Sequence, residues 1–180
     1  MNGSADKNSV VLVDSKDVEV GIADKLDAHR RGLTHRAISV FVRNTSGALL
    51  LQRRAGGKYH SGGLWANACC SHPLPAETAA DAAERRLAEE MGIDCELRPL
   101  FKTHYRAKVS DGLIEDEIVH AFGGRCDGPV RPDPAEVSAW RWMSLPELER
   151  DLQARPNDYA PWLHHYMRTH RDAIAQWIAD

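Results

Sequence analysis

The run Trp65–Pro73, "WANACCSHP", sets two adjacent cysteines beside a histidine and a proline. Cys69 and Cys70 make a poor disulfide, and a single following histidine makes an unusual zinc knuckle. On an extended chain their side chains point to opposite faces, and His72 shares the side of Cys70. Further along, "EDE" at 115–117 puts Glu115 and Glu117 on one strand face and Asp116 on the other. Two like charges side by side repel unless a cation sits between them. His29, His35 and His72 are nitrogen donors that could join such a cation. Each signal has a bland alternative: an exposed acidic strand, and surface histidines in "DAHRRGLTHR".

The elements that must carry these residues can be read from patterning. "SVVLVD" and "THRAISVFVRN" are rich in β-branched residues and predict strands. "NTSG" then turns the second of these into "ALLLQRR", making a hairpin. "AGGKYHSGG" is a glycine-rich loop with one lysine, and "LWANACC" returns as a strand. A helix is expected from about Thr78 to Met91, with Ala79, Ala83 and Leu87 as its apolar stripe and Gly92 as its cap. "CELRPLFKTHYRAKV" and "LIEDEIVHAFGG" read as a strand pair around "SDG", and "VSAWRWM" as one more strand. Ser144 with Glu147 three residues on marks a capped helix. One last helix starts near Pro161, with Trp162, Tyr166, Ile174, Trp177 and Ile178 on one face. The fold class is therefore α/β or α+β, a mixed sheet packed between helices.

From Ser71 the chain runs "SHPLPAETAADAAERRLAEEMGI", which resembles the Nudix signature. Glu77, Arg85, Leu87, Glu89, Glu90, Gly92 and Ile93 fall in register with it. Glutamates on one side of a helix can hold the magnesium that neutralises a diphosphate. The competing reading is a solvated face with pairs such as Asp81–Arg85 and Arg86–Glu90. Ser71 stands where the signature has its first glycine, and Arg86 where it has the first glutamate of its Arg-Glu pair. A cation at 86 weakens metal-assisted attack by water and suits direct contact with phosphate.

Taken together, the motifs resemble the type 1 isopentenyl-diphosphate isomerases, a non-hydrolytic branch of the Nudix fold. The resemblance runs from about Lys25 to Trp162. It rests on Trp65, Asn67, Cys70, His72 and Pro73 in a W-x-N-x-x-C-x-H-P pattern, on "DKLDAHRRGLTHRAISVF", "HYRA", "EDE" and "PW". It departs at Ala66, Ala68 and Ser71. The resemblance implies Cys70 and Glu117 as the acid–base pair on opposite faces of a flat substrate, with Tyr105 hydrogen-bonding the glutamate. It implies a manganese, magnesium or zinc ion on His29, His35, His72, Glu115 and Glu117. A magnesium ion would bridge Glu90 and the Cys70 carbonyl to the diphosphate, whose cations would be Lys25, Arg54, Lys58 and Arg86. Trp162 would lie over the allylic carbons. Cys69 is structural in this reading, and Cys95 and Cys126 are buried small hydrophobes.

The bulk properties set the outer limits. A chain of 180 residues can bury one substantial core, so one domain over 9–180 is expected, after eight frayed residues. A net charge of -3 gives no reason to expect nucleic acid as a partner. No apolar run approaches the roughly 20 residues of a membrane span, and the N-terminus lacks a signal-peptide apolar region. Four cysteines without secreted-framework spacing suit the cytoplasm. A small diphosphate substrate and a monomer or weak dimer complete the expectation. The competing functions are a Nudix hydrolase, which Arg86 opposes, and a zinc-binding or thiol-sensing module built on "CCSH", which leaves Glu115, Glu117 and Tyr105 without a role.

Overall fold

The structure is a computed structural model and describes residues 8–180. The expected frayed segment lies outside the described residues except for Asn8, whose carbonyl accepts the Lys25 N–H at 2.6 Å. In chain order the elements are β1 (Ser9–Val13), β2 (Glu19–Asp24), α1 (Lys25–Arg31), β3 (His35–Arg43), β4 (Leu49–Arg54), β5 (Trp65–Asn67) and β6 (Cys69–Ser71). They continue with α2 (Ala79–Met91), β7 (Leu97–Lys108), β8 (Ile114–Arg125), β9 (Val137–Met143), α3 (Leu145–Ala154), α4 (Pro161–Thr169) and α5 (Arg171–Ala179). The strands form one nine-stranded mixed sheet.

The sheet is organised around β3. One of its edges runs parallel to β8 from His35↔Glu117 to Arg43↔Arg125. Its other edge is shared by β1 at His35, by β6 at residues 38–40 and by β4 at Arg43. The expected hairpin into β4 is therefore splayed. Its turn forms, with Ala48 C=O accepting from Asn44 N–H at 3.0 Å, but the strands meet only at Arg43↔Leu49. β6 occupies the edge that β4 would need, and β4 pairs instead with β5 and β9. "LWANACC" is likewise not one strand. It divides at Ala68 into β5 on β4 and β6 on β3.

Period-two alternation sends the two sides of this sheet into different cores. Ile38, Val40, Val42, Leu50 and Cys69 pack with Ala82, Ala83, Leu87 and Met91 of α2. Ala37, Phe41, Leu51, Val119 and Tyr105 pack with α3, α4 and α5 through Leu148, Trp162, Leu163, Tyr166 and Ile174. α2 starts at Thr78, whose hydroxyl accepts from Asp81 N–H, and ends at Gly92 with φ +63°. A Cβ there would lie 2.5 Å from the Arg131 carbonyl oxygen, so only glycine fits. α3 carries the expected Ser144–Glu147 capping box.

Three further expectations change. The last helix is two, broken at His170, whose ring stacks on Phe101 at 4.1 Å and 3°. Strand β2 and helix α1 were not expected from patterning. α1 is a short charged segment held by its ends: Asp24 caps Asp27 N–H at 2.9 Å, and Gly32 closes it at φ +60°. Cys95 and Cys126 are half-buried rather than fully buried, and all four cysteines are free.

Candidate active site

The register of β3 brings the chemistry together. Ser39 pairs with Cys70 on one side and His35 with Glu117 on the other, and Tyr105 pairs with Glu117 across β7–β8. All five therefore share the α3–α5 face of the sheet. Cys69 points to the α2 face and is fully buried there. The structure thus separates the two cysteines as alternation predicts.

Cys70 is fixed by a side-chain amide. Asn67 Nδ2 donates to Ser39 Oγ at 2.9 Å, to Val40 O at 2.8 Å and to Cys69 O at 3.3 Å. Its oxygen is left facing the thiol, which donates to it at 3.3 Å. Asn67 so stitches β5 to β3 where the two sheet halves splay, and it favours the protonated sulfur. Burial pushes the Cys70 thiol up to about 12, against the pull of Ser39 and Arg54.

Three imidazoles and a carboxylate converge beside it. α1 supplies His29, β3 supplies His35, and His72 follows β6. Their donor atoms and one oxygen of Glu117 lie within 4.8 Å of one another. His29 Nδ1 donates to Lys25 O at 2.7 Å and His35 Nδ1 to Leu33 O at 2.8 Å. Both rings therefore turn an Nε2 lone pair inward, the arrangement that second-shell carbonyls give metal-binding histidines. His72 Nε2 lies 3.2 Å from His35 Nε2 and 3.1 Å from Glu117 Oε1. Burial holds His72 down at about 3 despite Glu117, and it lowers His29 as well. Burial would raise Glu117, but His35 and His72 outweigh it and keep this carboxylate below its ordinary range. Glu115 behaves oppositely: burial and the neighbouring Glu117 push it well up, and its Oε2 is buried without a hydrogen-bond partner among the described residues. Neutral nitrogens and crowded carboxylates of this kind fit a divalent cation.

Two details differ from expectation. Glu115 groups with His29 and His60 rather than with His35, His72 and Glu117. The Tyr105 hydroxyl does not bond Glu117. It is buried without a partner among the described residues, and burial with the charge of Glu115, then Glu117, pushes it upward.

Of these groups Cys70, His72, Glu115 and Glu117 line a cleft of about 550 Å³, well sized for a small ligand. Lys25, Arg54, Lys58, Arg86 and Glu90 line the same cleft. Burial, with Arg54, Arg86 and Lys25 nearby, lowers Lys58 to about 8 against the pull of Glu90. Lys58 pairs with Glu136, and Lys25 lies over the Tyr59 ring at 4.9 Å. Glu90 is buried, taking bonds from Arg86 Nη2 at 2.5 Å and Gln52 Nε2 at 3.2 Å. The expected Arg86–Glu90 pair is present, whereas Arg85 bonds Glu77 and Glu89 rather than Asp81. Trp162 is buried in the cleft wall, but Arg54 already lies over its ring at 5.1 Å.

The NUDIX domain family model matches residues 33–166. Isopentenyl-diphosphate Delta-isomerase 2 of Aromatoleum aromaticum is 54% identical over 87% of this chain and 83% of its own. The chain belongs to the isopentenyl-diphosphate Delta-isomerase family. The family member from Burkholderia multivorans is 52% identical over 86% of this chain and 88% of its own. In fold, the chain is similar to a Deinococcus radiodurans protein with a TM-score of 0.69 at 21% identity, over 82% of this chain and 90% of that one. A MutT protein from Methanosarcina mazei gives 0.60 at 19%, over 79% and 91%. The Trp65–Asn67 strand thus carries the Asn67 stitch. Sequence reasoning quoted Asn67 only as a motif letter and did not single out His60 or Ser39. Asn67 lay within reach, since a buried amide two residues before a cysteine pair invites the question of what it bonds.

Proposed function

We propose that the chain converts isopentenyl diphosphate to dimethylallyl diphosphate, adding a proton to the terminal alkene carbon and removing one from C2 on the opposite face. The observation that carries this reading is the placement of the Cys70 thiol and the Glu117 carboxylate on one face of the sheet, both lining a cleft that Lys25, Arg54, Lys58 and Arg86 also line. The strands of Cys70 and Glu117 flank β3 on opposite edges, which supports one acting on each face of a flat substrate. Neither group is freely solvated, which suits proton transfer to carbon with water kept out. The unpartnered Tyr105 hydroxyl supports its role as a proton carrier to the glutamates. Lys25, Arg54, Lys58 and Arg86 would grip the diphosphate. As Arg54 turns toward phosphate it would release the Trp162 ring to stabilise the developing tertiary cation, by about 2 kcal/mol once desolvated.

A manganese, magnesium or zinc ion on His29, His35, His72, Glu115 and Glu117, with magnesium between Glu90, the Cys70 carbonyl and the diphosphate, would neutralise the crowded carboxylates and phosphates. Residues 9–180 would act as one domain, since the site draws on α1 through α4. Among the described residues no helix is long and apolar enough to cross a membrane. Free thiols support a cytoplasmic location, and we take the working form to be a monomer or weak dimer. Hydrolysis is disfavoured by Arg86, which fills a metal-ligand position of the signature and is tied to Glu89 and Glu90. The test is incubation with isopentenyl diphosphate and magnesium in heavy water. Deuterium in a methyl group of dimethylallyl diphosphate is expected. Phosphate release without isomer would refute the reading.

A further inference from the structure

Ser39 interrupts an otherwise apolar run, "AISVFV", in the middle of β3. It is fully buried on the α3–α5 face, where its neighbours along the strand are Ala37 and Phe41. A hydroxyl in such a place costs free energy unless it is hydrogen-bonded. Its partner across the strand edge is Cys70, and its Oγ lies 3.4 Å from Sγ. On distance alone either atom could be the donor. The amide of Asn67 decides between them.

Asn67 Nδ2 bonds the carbonyls of Val40 and Cys69, which can only accept, so the NH2 end of the amide is fixed and Oδ1 is the end that faces sulfur. An amide oxygen cannot donate, so the Cys70 proton is committed to Oδ1 at 3.3 Å. The proton between Ser39 and Cys70 is therefore that of the hydroxyl, while Oγ accepts from Nδ2 at 2.9 Å. The Tyr166 hydroxyl also faces Ser39 and brings a proton of its own. The three side chains thus close a ring that runs one way: N–H to Oγ, O–H to Sγ, S–H to Oδ1. Bonds arranged head to tail in this fashion polarise and strengthen one another.

We propose that Ser39 is a positioning residue for Cys70, its hydroxyl holding the sulfur in one rotamer at the wall of the cleft. The role in turnover rests on the isomerase reading of Cys70. Without the hydroxyl, Sγ keeps only Asn67 and is freer to turn to another staggered rotamer. Misplacing a reacting atom by about 1 Å costs up to about 10² in rate. The fold does not depend on this bond, because Asn67 still reaches the Val40 and Cys69 carbonyls.

The experiment compares the full-length wild type with Ser39→Ala, using Cys70→Ala as the spectroscopic blank. In the infrared difference against that blank, the Cys70 S–H stretch of the wild type should lie below that of an unbonded thiol, and in Ser39→Ala it should rise. Isopentenyl diphosphate turnover by Ser39→Ala should show kcat lower by about tenfold or more, with KM, metal content and Tm close to the wild type. A wild-type band at the frequency of an unbonded thiol would overturn the ring without any Ser39 variant having to fold. An unchanged band in Ser39→Ala, or a kcat within twofold of an active wild type, would overturn the positioning role alone. A wild type that forms no dimethylallyl diphosphate would overturn the isomerase reading and the role in turnover with it, which separates the two failures.

Discussion

Replacing each of the adjacent cysteines by alanine should damage different properties. Cys69 is fully buried on the α2 face, between Ile38, Val40 and the alanines of α2. Losing its sulfur forfeits about 0.8 kcal/mol of transfer free energy, and a methyl-sized void adds about as much again, about 1.5 kcal/mol together. At this chain length that lowers Tm by about 3–6 °C and leaves turnover within a few-fold. Cys70 is only half-buried, so Cys70→Ala should cost less stability. On the proposed mechanism it removes the acid–base group at the reacting carbon, and such groups supply about 10²–10⁴ in rate, about 3–5 kcal/mol of barrier. Cys70→Ser should be nearly as poor, because a hydroxyl is far less acidic than a thiol. The assays are calorimetric Tm and the rate of deuterium entry into dimethylallyl diphosphate. An inactive Cys69→Ala beside an active Cys70→Ala would refute the assignment of the two faces.

Arg86→Glu should raise KM for the diphosphate by tenfold or more while moving kcat less; an unchanged KM would make Arg86 only a partner of Glu89 and Glu90. His29→Ala, His72→Ala and Glu115→Gln should each lower both activity and metal content of the purified protein, and full occupancy by elemental analysis in all three would remove the proposed site. Asp17, at φ +66°, bonds Arg36 Nε at 2.8 Å, Lys102 Nζ at 2.5 Å and His120 Nε2 at 2.8 Å. Burial would raise its pKa, but these bonds outweigh it and lower it, so its contribution is present above the unfolded value of about 3.9 and lost as pH falls through the folded one. Asp17→Asn, which tolerates the same backbone, should cost about 1.5–3 kcal/mol in urea at pH 7 and converge with the wild type below pH 4; a gap that persists in acid would assign the loss to the turn instead of the charge.

What could be read from the chain beforehand depended on whether the cue was local. Alternation alone put Glu115 and Glu117 on one face and parted Cys69 from Cys70, and α2 declared itself through Thr78, its signature and Gly92. α1 escaped because only Ala28 and His29 of its seven residues are buried, leaving no periodic stripe, although Asp24 and Gly32 offered both caps. β2 escaped because Val20 and Ile22 alternate outward into solvent rather than into a core. The splaying of the β3–β4 hairpin depends on competition for one strand edge, which no local window records. His60 belongs with these: its burial is made by Trp162, a hundred residues away along the chain. The break at His170 has no glycine or proline to announce it, only a stacking partner, Phe101, from β7.

The parallel ladder between β3 and β8 also sets an order of assembly. It joins residues 82 positions apart, a loop whose closure costs about 4 kcal/mol of chain entropy before any pair forms. Such pairing comes late in folding, and until it exists His35 has no Glu117 to face. A divalent ion held by the proposed cluster would therefore find its donors converged only in the finished chain, and its binding energy would fall on the unfolding barrier rather than the folding one. At a hundredfold excess over its dissociation constant it would add about 2.7 kcal/mol. Chelation should then shorten the native lifetime about a hundredfold while the refolding half-time stays the same, the ion acting as a kinetic latch on a structure already built.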